Sequence, residues 1–243
     1  MIQDLHSHTY YSFCGKDAPT TVIETAIAGG IEMLGISDHS YGICMSRSEL
    51  ARESQKEKDI QRAIDAYADH ILLLKEKYAS KIDIKCGIEL FTVNQPHRLL
   101  PDSIDLSVFD YCLVENLDSP DTVCCDLFGF VKKHKCRNVG IAHTDLFGFL
   151  EQRGFDKLEY LTKMADAGIF WEMNVNYDSI HKYREHAYVK EFFEDPEMQD
   201  TVRRSGVRIS VGFDGHKVED YLPQRVHDAC KRLSELEIPL MFE

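Results

Sequence analysis

Seven short apolar runs recur along the chain, and each is followed by a polar loop and then a segment with helical spacing. No other feature constrains the fold as much. Strands separated by helix-length segments pair in parallel, as successive β/α units of one sheet. The runs lie near Ile2–Leu5, Met33–Ile36, Ile82–Ile88, Tyr111–Val114, Asn138–Ala142, Ile169–Val175 and Val207–Val211. Between them the pattern predicts a helix opened by Pro19-Thr20-Thr21 and closed by Gly29-Gly30, and a long one over about Ser46–Tyr78. Further helices are expected near Asp121–Lys135, Phe155–Ala167, Glu185–Ser205 and Asp220–Leu236. No linker, repeat or low-complexity tract breaks the series, so residues 1–243 are read as a single domain. The expected fold is α/β: a seven-stranded (β/α)7, TIM-barrel-like closed sheet, with a doubly wound open sheet as the alternative.

In β/α barrels the reactive groups sit at the carboxyl ends of the strands, so the residue types found there carry the functional reading. The first strand runs into His6-Ser7-His8 and the second into Asp38-His39. The third ends at Glu89, and the fourth leads into Glu115-Asn116-Leu117-Asp118. The fifth ends at His143, the sixth carries Glu172, Asn174 and Asn176, and the seventh ends in Asp214-Gly215-His216. Nearly every unit thus delivers an imidazole or a carboxylate to the same rim. Nitrogen and carboxylate oxygen together suit zinc, iron or manganese, and a carboxylate such as Glu89 can bridge two ions. Alone, the HxH and DxH pairs say little, since chelation is expected to need the chain to turn there. Asp38 reads equally as a ligand or as a group that orients His39, and Asn174 and Asn176 read as hydrogen bonders.

Charge narrows the function classes. The formal net charge is −13 with histidine neutral, which disfavours nucleic acid as a partner and fits a protein whose ligands to cations include carboxylates. No apolar run is long enough for a membrane span, and MIQDLHSHTYYS lacks the basic and apolar regions of a signal peptide. A cytoplasmic protein is therefore expected, with its eight cysteines, none in a CxxC pair, read as reduced thiols.

The segments DLHSHTYYS, GISDHS, CGIEL, GIAHTD, WEMNVN and SVGFDGH, in that order, resemble the PHP family, named for polymerase and histidinol phosphatase. The resemblance covers nearly the whole chain. It implies a distorted seven-stranded barrel holding two to three divalent ions, with zinc, manganese and iron all open. It also implies that His6, His8, Glu89 and Asp214 hold one ion. Glu89 would bridge to a second ion bound by His143, and His39 and His216 would belong to a third. Members of the family hydrolyse phosphate esters, among them histidinol phosphate, nucleotides and DNA ends.

Two positions depart from the family pattern. Cys14 stands where many relatives have a His or Asp ligand to the third ion, and a thiolate there could still bind zinc. No His follows the fourth strand; Glu115 is the expected substitute, with Asp118 behind it, and a carboxylate would favour manganese or iron over zinc.

The leading expectation is a phosphatase acting on a small phosphomonoester, most of all L-histidinol phosphate, by attack of a hydroxide shared between two ions. Glu89, Asp214 and His216 are the expected catalytic groups, with Asp214, His216 or a water protonating the leaving oxygen. Phosphate-binding cations are harder to find: Lys182, Arg184 and His181, after the sixth strand, are the candidates, with Lys16 and Arg47 behind them. The alternatives are a nucleotide or sugar phosphate as substrate, or a metal-binding barrel with a regulatory, non-catalytic role. Hydrolysis of C–N bonds on a similar barrel would call for a ligating Lys at a strand end, and none is seen.

Overall fold

The computed structural model describes residues 1–44, 57–95, 98–124 and 126–243. The strands are β1 (Gln3–Asp4), β2 (Met33–Ile36), β3 (Asp83–Leu90), β4 (Tyr111–Val114), β5 (Val139–Ile141), β6 (Ile169–Asn174) and β7 (Ile209–Gly212). They form one sheet in sequential order, every neighbour parallel. That order excludes the doubly wound alternative, in which the strand order reverses partway. The sheet returns to its start: the Leu5 amide donates to the Val211 carbonyl at 2.8 Å, and Ser7 bridges Gly215 in parallel.

The helices are α1 (Pro19–Ala28), α2 (Ser40–Cys44), α3 (Glu57–Tyr78), α4 (Leu127–Lys133), α5 (Leu146–Arg153), α6 (Lys157–Asp166), α7 (Ala187–Glu194), α8 (Pro196–Ser205) and α9 (Pro223–Glu235). Several expected helices are redrawn. Residues 46–56 of the long expected helix lie outside the described residues. The helix expected from Asp121 starts only at Leu127, because Thr122 pairs with Val93 in an antiparallel bridge. The region Glu185–Ser205 is split at Asp195-Pro196, where the proline opens α8 and the Asp195 side chain accepts from the amides of Glu197 and Met198. Helix α5 was not anticipated; Asp145 caps it by accepting from the Gly148 amide, and Gly154 at φ 67° ends it.

Side chains alternate across each strand, so the barrel has two cores. Cys86, Ile88, Cys112, Val114, Trp171 and Met173 face outward and pack against the helices. Leu5, Met33, Tyr111, Leu113, Ala142, Phe170 and Met241 fill the lower interior. The chain end closes the barrel from below, with the Met241 amide donating to Ile209 and its carbonyl accepting from Gln3 Nε2 at 2.7 Å. Tyr111 lies across the interior against Gly35 and Gly87, where any Cβ would collide with its ring, and its hydroxyl donates to the Leu5 carbonyl at 2.6 Å. Two residues further up each inward row the character changes: Tyr111 and Leu113 lead to Glu115, Gly87 to Glu89, and Phe170 to Glu172 and Asn174. The upper interior is therefore polar, above an apolar floor.

One expectation about the cysteines is corrected. Cys112, on the outer face of β4, and Cys136, just beyond α4, are joined as a disulfide with their Cα atoms 6.4 Å apart. The parallel pairing of β4 with β5 brings the approach to β5 alongside Cys112, within the usual reach of a disulfide. Cys44, Cys86 and Cys230 are buried thiols, as core filling requires.

Candidate metal centre

Glu89 stands at the middle of the polar upper barrel, fully buried at the end of β3. Its Oε1 lies 3.4 Å from His6 Nε2 and 3.2 Å from His143 Nε2. Its Oε2 lies 3.4 Å from His8 Nε2 and 2.8 Å from His39 Nδ1. Asp214 faces the same imidazoles from the end of β7, with Oδ1 3.0 Å from His8 Nε2 and 3.4 Å from His6 Nε2. His6 and His8 bring their Nε2 atoms within 3.2 Å of each other. This pair needs no turn of the chain, contrary to expectation: residues two apart in an extended segment share a face. The other pair does use one, since Asp214 sits at φ 56° and thereby approaches His216.

His143 at φ 26° and Asp214 hold backbone conformations that L-residues seldom adopt. Each is tied down: the His143 amide donates to Glu172 Oε2 at 2.8 Å, and the Asp214 amide to the His6 carbonyl at 2.7 Å. Strain held in this way gathers at functional sites.

Cys14 completes a second cluster. Its thiol, with His8, His39 and His216, offers four donor atoms within 4.8 Å of one another. Burial raises the Cys14 pKa, but hydrogen bonds with His216 and His39 outweigh it and hold the thiol at about 7. Glu115 joins His39 and Glu89 in a third group, with Oε1 3.4 Å from His39 Nδ1, whereas Asp118 is exposed.

A divalent-ion site is tested by its unsatisfied atoms. Buried polar groups are almost always hydrogen-bonded. Here Glu89 Oε2, Glu115 Oε1, His39 Nδ1 and His216 Nδ1 are buried without such a partner. His39 Nδ1 and Glu89 Oε2 are 2.8 Å apart yet lack hydrogen-bond geometry, so they are not aimed at each other. Imidazoles and carboxylates converging in this way fit divalent cations.

Around these donors runs a supporting layer. Asp38 is not turned toward the centre: Oδ1 accepts from the Thr9 amide, the Ser12 amide and the Ser12 hydroxyl, and Oδ2 from the Thr9 hydroxyl. It thereby fixes Ser12, whose Oγ lies 3.1 Å from His8 Nδ1 and accepts from the His39 amide. Glu172 lies at the strand end identified from the sequence, but its role was not. Its Oε1 is 2.8 Å from His6 Nδ1, and Oε2 accepts from the His143 amide and from Asn174 Nδ2. Asn174 Oδ1 accepts from the Asn176 amide, and Asn176 Nδ2 lies 3.3 Å from His186 Nε2. Carboxylates behind ligating imidazoles typically matter by about 10–100-fold in metal affinity or activity, so Glu172→Ala should lower metal affinity by that factor. Competition with a fluorescent chelator would measure it, and unchanged affinity would mean that His6 is oriented without Glu172.

The expected phosphate cations separate. His181 reaches the centre, 3.3 Å from Asp214 Oδ2. Lys182, Arg184 and Lys16 are exposed, and Arg47 lies outside the described residues. Two groups escaped sequence reasoning altogether. Asp178 is buried and pairs with His181. The Arg98 guanidinium lies 5.0 Å from the centre of the Tyr41 ring, which in turn stacks on His39.

Without an ion, the carboxylates hold these imidazoles charged. Burial lowers the pKa of His143, His181 and His216, yet Glu89, Asp178 and Asp214 respectively outweigh it and lift them to about 9, 9 and 10. A group raised in the folded state gives its full stabilisation below its unfolded pKa near 6.5 and loses it as pH climbs through the folded value. Cys14 works in the opposite sense between about 7 and 9, but it is one group against three. Chelator-stripped protein should therefore melt at progressively lower temperature from pH 6.5 to pH 10. A melting temperature that stays level or rises across that window would contradict the charge assignment.

Fold and site together define a parallel β/α barrel with a cluster of metal-binding groups at the carboxyl ends of its strands. The PHP domain profile matches residues 4–216, so the chain belongs to the PHP family, and that membership supports metal-dependent phosphoester hydrolysis as its chemistry. Among solved structures, histidinol phosphate phosphatase from Lactococcus lactis subsp. lactis, complexed with zinc, L-histidinol and phosphate, is 19% identical. That match covers 98% of this chain and 95% of the other, with a TM-score of 0.60. A candidate histidinol phosphatase from Listeria monocytogenes matches at 14% identity and TM-score 0.45, over 90% of this chain and 96% of that one. Triazine hydrolase from Arthrobacter aurescens matches at 14% and 0.47, over 89% of this chain but 46% of the other. No curated protein sequence matches the chain. None of the helices among the described residues is long and apolar enough to cross a membrane.

Proposed function

We propose that this protein hydrolyses a small-molecule phosphomonoester, with L-histidinol phosphate as its substrate. The observation that carries the reading is the convergence of His6, His8, His39, Glu89, Glu115, His143, Asp214, His216 and Cys14 on one buried region. Several of their atoms there have no hydrogen-bond partner. Two to three divalent ions suit that donor set. Its mixture of imidazole, carboxylate and thiol is compatible with zinc, manganese or iron. When bound, such ions supply an activated water and positive charge to offset the phosphoryl oxygens.

The protein groups divide the remaining work. Glu89, with one oxygen toward His6 and His143 and the other toward His8 and His39, holds two positions at a fixed separation. Asp214 and His216 close the side next to β1. Glu172, Asp38 and Ser12 keep the imidazoles in place, so little reorganisation accompanies reaction. The substrate choice draws on the likeness in fold to the Lactococcus phosphatase, which was crystallised with L-histidinol and phosphate. A net charge of −13 speaks for a small substrate rather than a nucleic acid.

A second reading, a metal-binding barrel without catalysis, is favoured by Cys14 and Glu115, which stand at positions where the family pattern has other ligands. One experiment separates the two. Protein stripped with chelator and resupplied with zinc, manganese or iron is given L-histidinol phosphate, nucleotides and sugar phosphates, and kcat/KM is measured. The proposal expects L-histidinol phosphate to lead the panel by a wide margin. A different leader would change the substrate, and metal binding without phosphate release would favour the second reading.

A further inference from the structure

Asp178 and His181 belong to the loop after β6, and the reading above uses neither of them to hold an ion. Asp178 is 1% exposed. Its Oδ1 accepts from the His181 amide at 2.8 Å and lies 2.7 Å from His181 Nδ1. Its Oδ2 faces His216 Nδ1 at 3.7 Å, and both of those atoms are buried without a hydrogen bond. One carboxylate thus holds His181 by hydrogen bonds and faces His216 with its other oxygen.

The far end of the His181 ring points into the centre. Nε2 lies 3.3 Å from Asp214 Oδ2, whereas His6 and His8 meet Oδ1 of the same carboxylate. The His181 side chain is 28% exposed, but those of His6, His8, Asp214 and His216 are at 5% or less. His181 therefore stands at the mouth, held by Asp178 at Nδ1 and facing Asp214 with Nε2. Asp214 and His216, the donors expected from the sequence, are turned inward among the metal-binding groups.

We propose that His181 is the general acid of the reaction and that Asp178 is the residue that positions it. This rests on the phosphoesterase reading. As hydroxide adds to phosphorus, the bond from phosphorus to the leaving oxygen breaks, and its electron pair goes to that oxygen. The oxygen takes the proton from His181 Nε2 and departs as the alcohol. His181, left neutral, regains a proton from solvent. Asp178 accepts from Nδ1–H throughout, which keeps the ring in one orientation.

Leaving-group dependence tests this directly. An alkyl alkoxide needs a proton to depart, while 4-nitrophenolate leaves without one. Metal-loaded wild type, His181→Gln and Asp178→Asn are compared on the best alkyl phosphomonoester of the panel and on 4-nitrophenyl phosphate, with metal content measured per chain. General acids contribute about 10²–10⁴-fold, so His181→Gln should lose that much on the alkyl ester, less than about tenfold on the nitrophenyl ester, and no metal. Asp178→Asn should show the same selectivity in weaker form. Equal losses on both esters, or loss of metal from His181→Gln, would overturn the acid role and leave His181 as a group that supports Asp214. Wild type that hydrolyses neither ester would instead overturn the phosphoesterase reading, and the acid role with it.

Discussion

Glu89→Gln is expected to reduce kcat by at least about 10²–10³-fold, the scale on which one preorganised electrostatic group counts. It should also lower the metal content by at least one ion per chain. The substitution keeps the shape of the side chain, so packing around this fully buried position is retained and the effect isolates the charge. Four imidazoles, those of His6, His8, His39 and His143, face the two carboxylate oxygens, and no other carboxylate among the described residues pairs with all four. An amide can coordinate through its oxygen only, so one of the two positions loses its anionic donor. The amide nitrogen would then face imidazole nitrogens. Steady-state kinetics and elemental analysis of the same preparation would check both effects. Near-normal turnover with full metal content would remove Glu89 from the centre of the scheme.

Removal of metal is expected to have the largest effect on stability. An ion that binds only the folded state at a thousand times its dissociation constant adds about 4 kcal/mol. For a chain of this size each kcal/mol shifts the melting temperature by roughly 2–4 °C, so one ion corresponds to about 8–16 °C. The buried charges explain why this chain should respond so strongly. Burial alone would raise the pKa of Glu89 and Asp214, yet the surrounding imidazoles hold both well below the usual carboxylate range. Without metal, only protons on His6, His39 and their neighbours offset those charges. Thermal melts with chelator and with each metal would measure the shift. A difference of less than about 2 °C would mean that the cluster is self-sufficient.

The parallel sheet was legible in the sequence because each unit repeats the same change from apolar run to polar loop, whereas its sequential order was not, since a doubly wound sheet shows the same alternation. The place of the imidazoles and carboxylates was legible for the same reason: a residue just past a strand lands on a known rim. What could not be read is whatever acts across the barrel. Glu172 meets His6 over a separation of 166 residues, and nothing local to either signals the contact. Asp178 sits in a loop whose path depends on Tyr188, the donor to the Glu172 carbonyl, and on Asp220, which accepts from the Ser179 amide. Asp38 could be read two ways because its two oxygens are claimed by the loop of Thr9 and Ser12, a packing fact invisible in Asp38-His39 alone. The Cys112–Cys136 pairing depends on strand register, and register is set by the closed sheet rather than by the spacing of cysteines.

The central claim is that the groups at the barrel rim bind divalent ions and use them to hydrolyse a phosphoester. Titration of metal into stripped protein, followed at once by elemental analysis and by phosphate release, tests it most directly. The account predicts that activity is absent without metal, rises with occupancy and levels off at two to three ions per chain. Full activity in stripped protein, or no retention of zinc, manganese or iron after desalting, would contradict it.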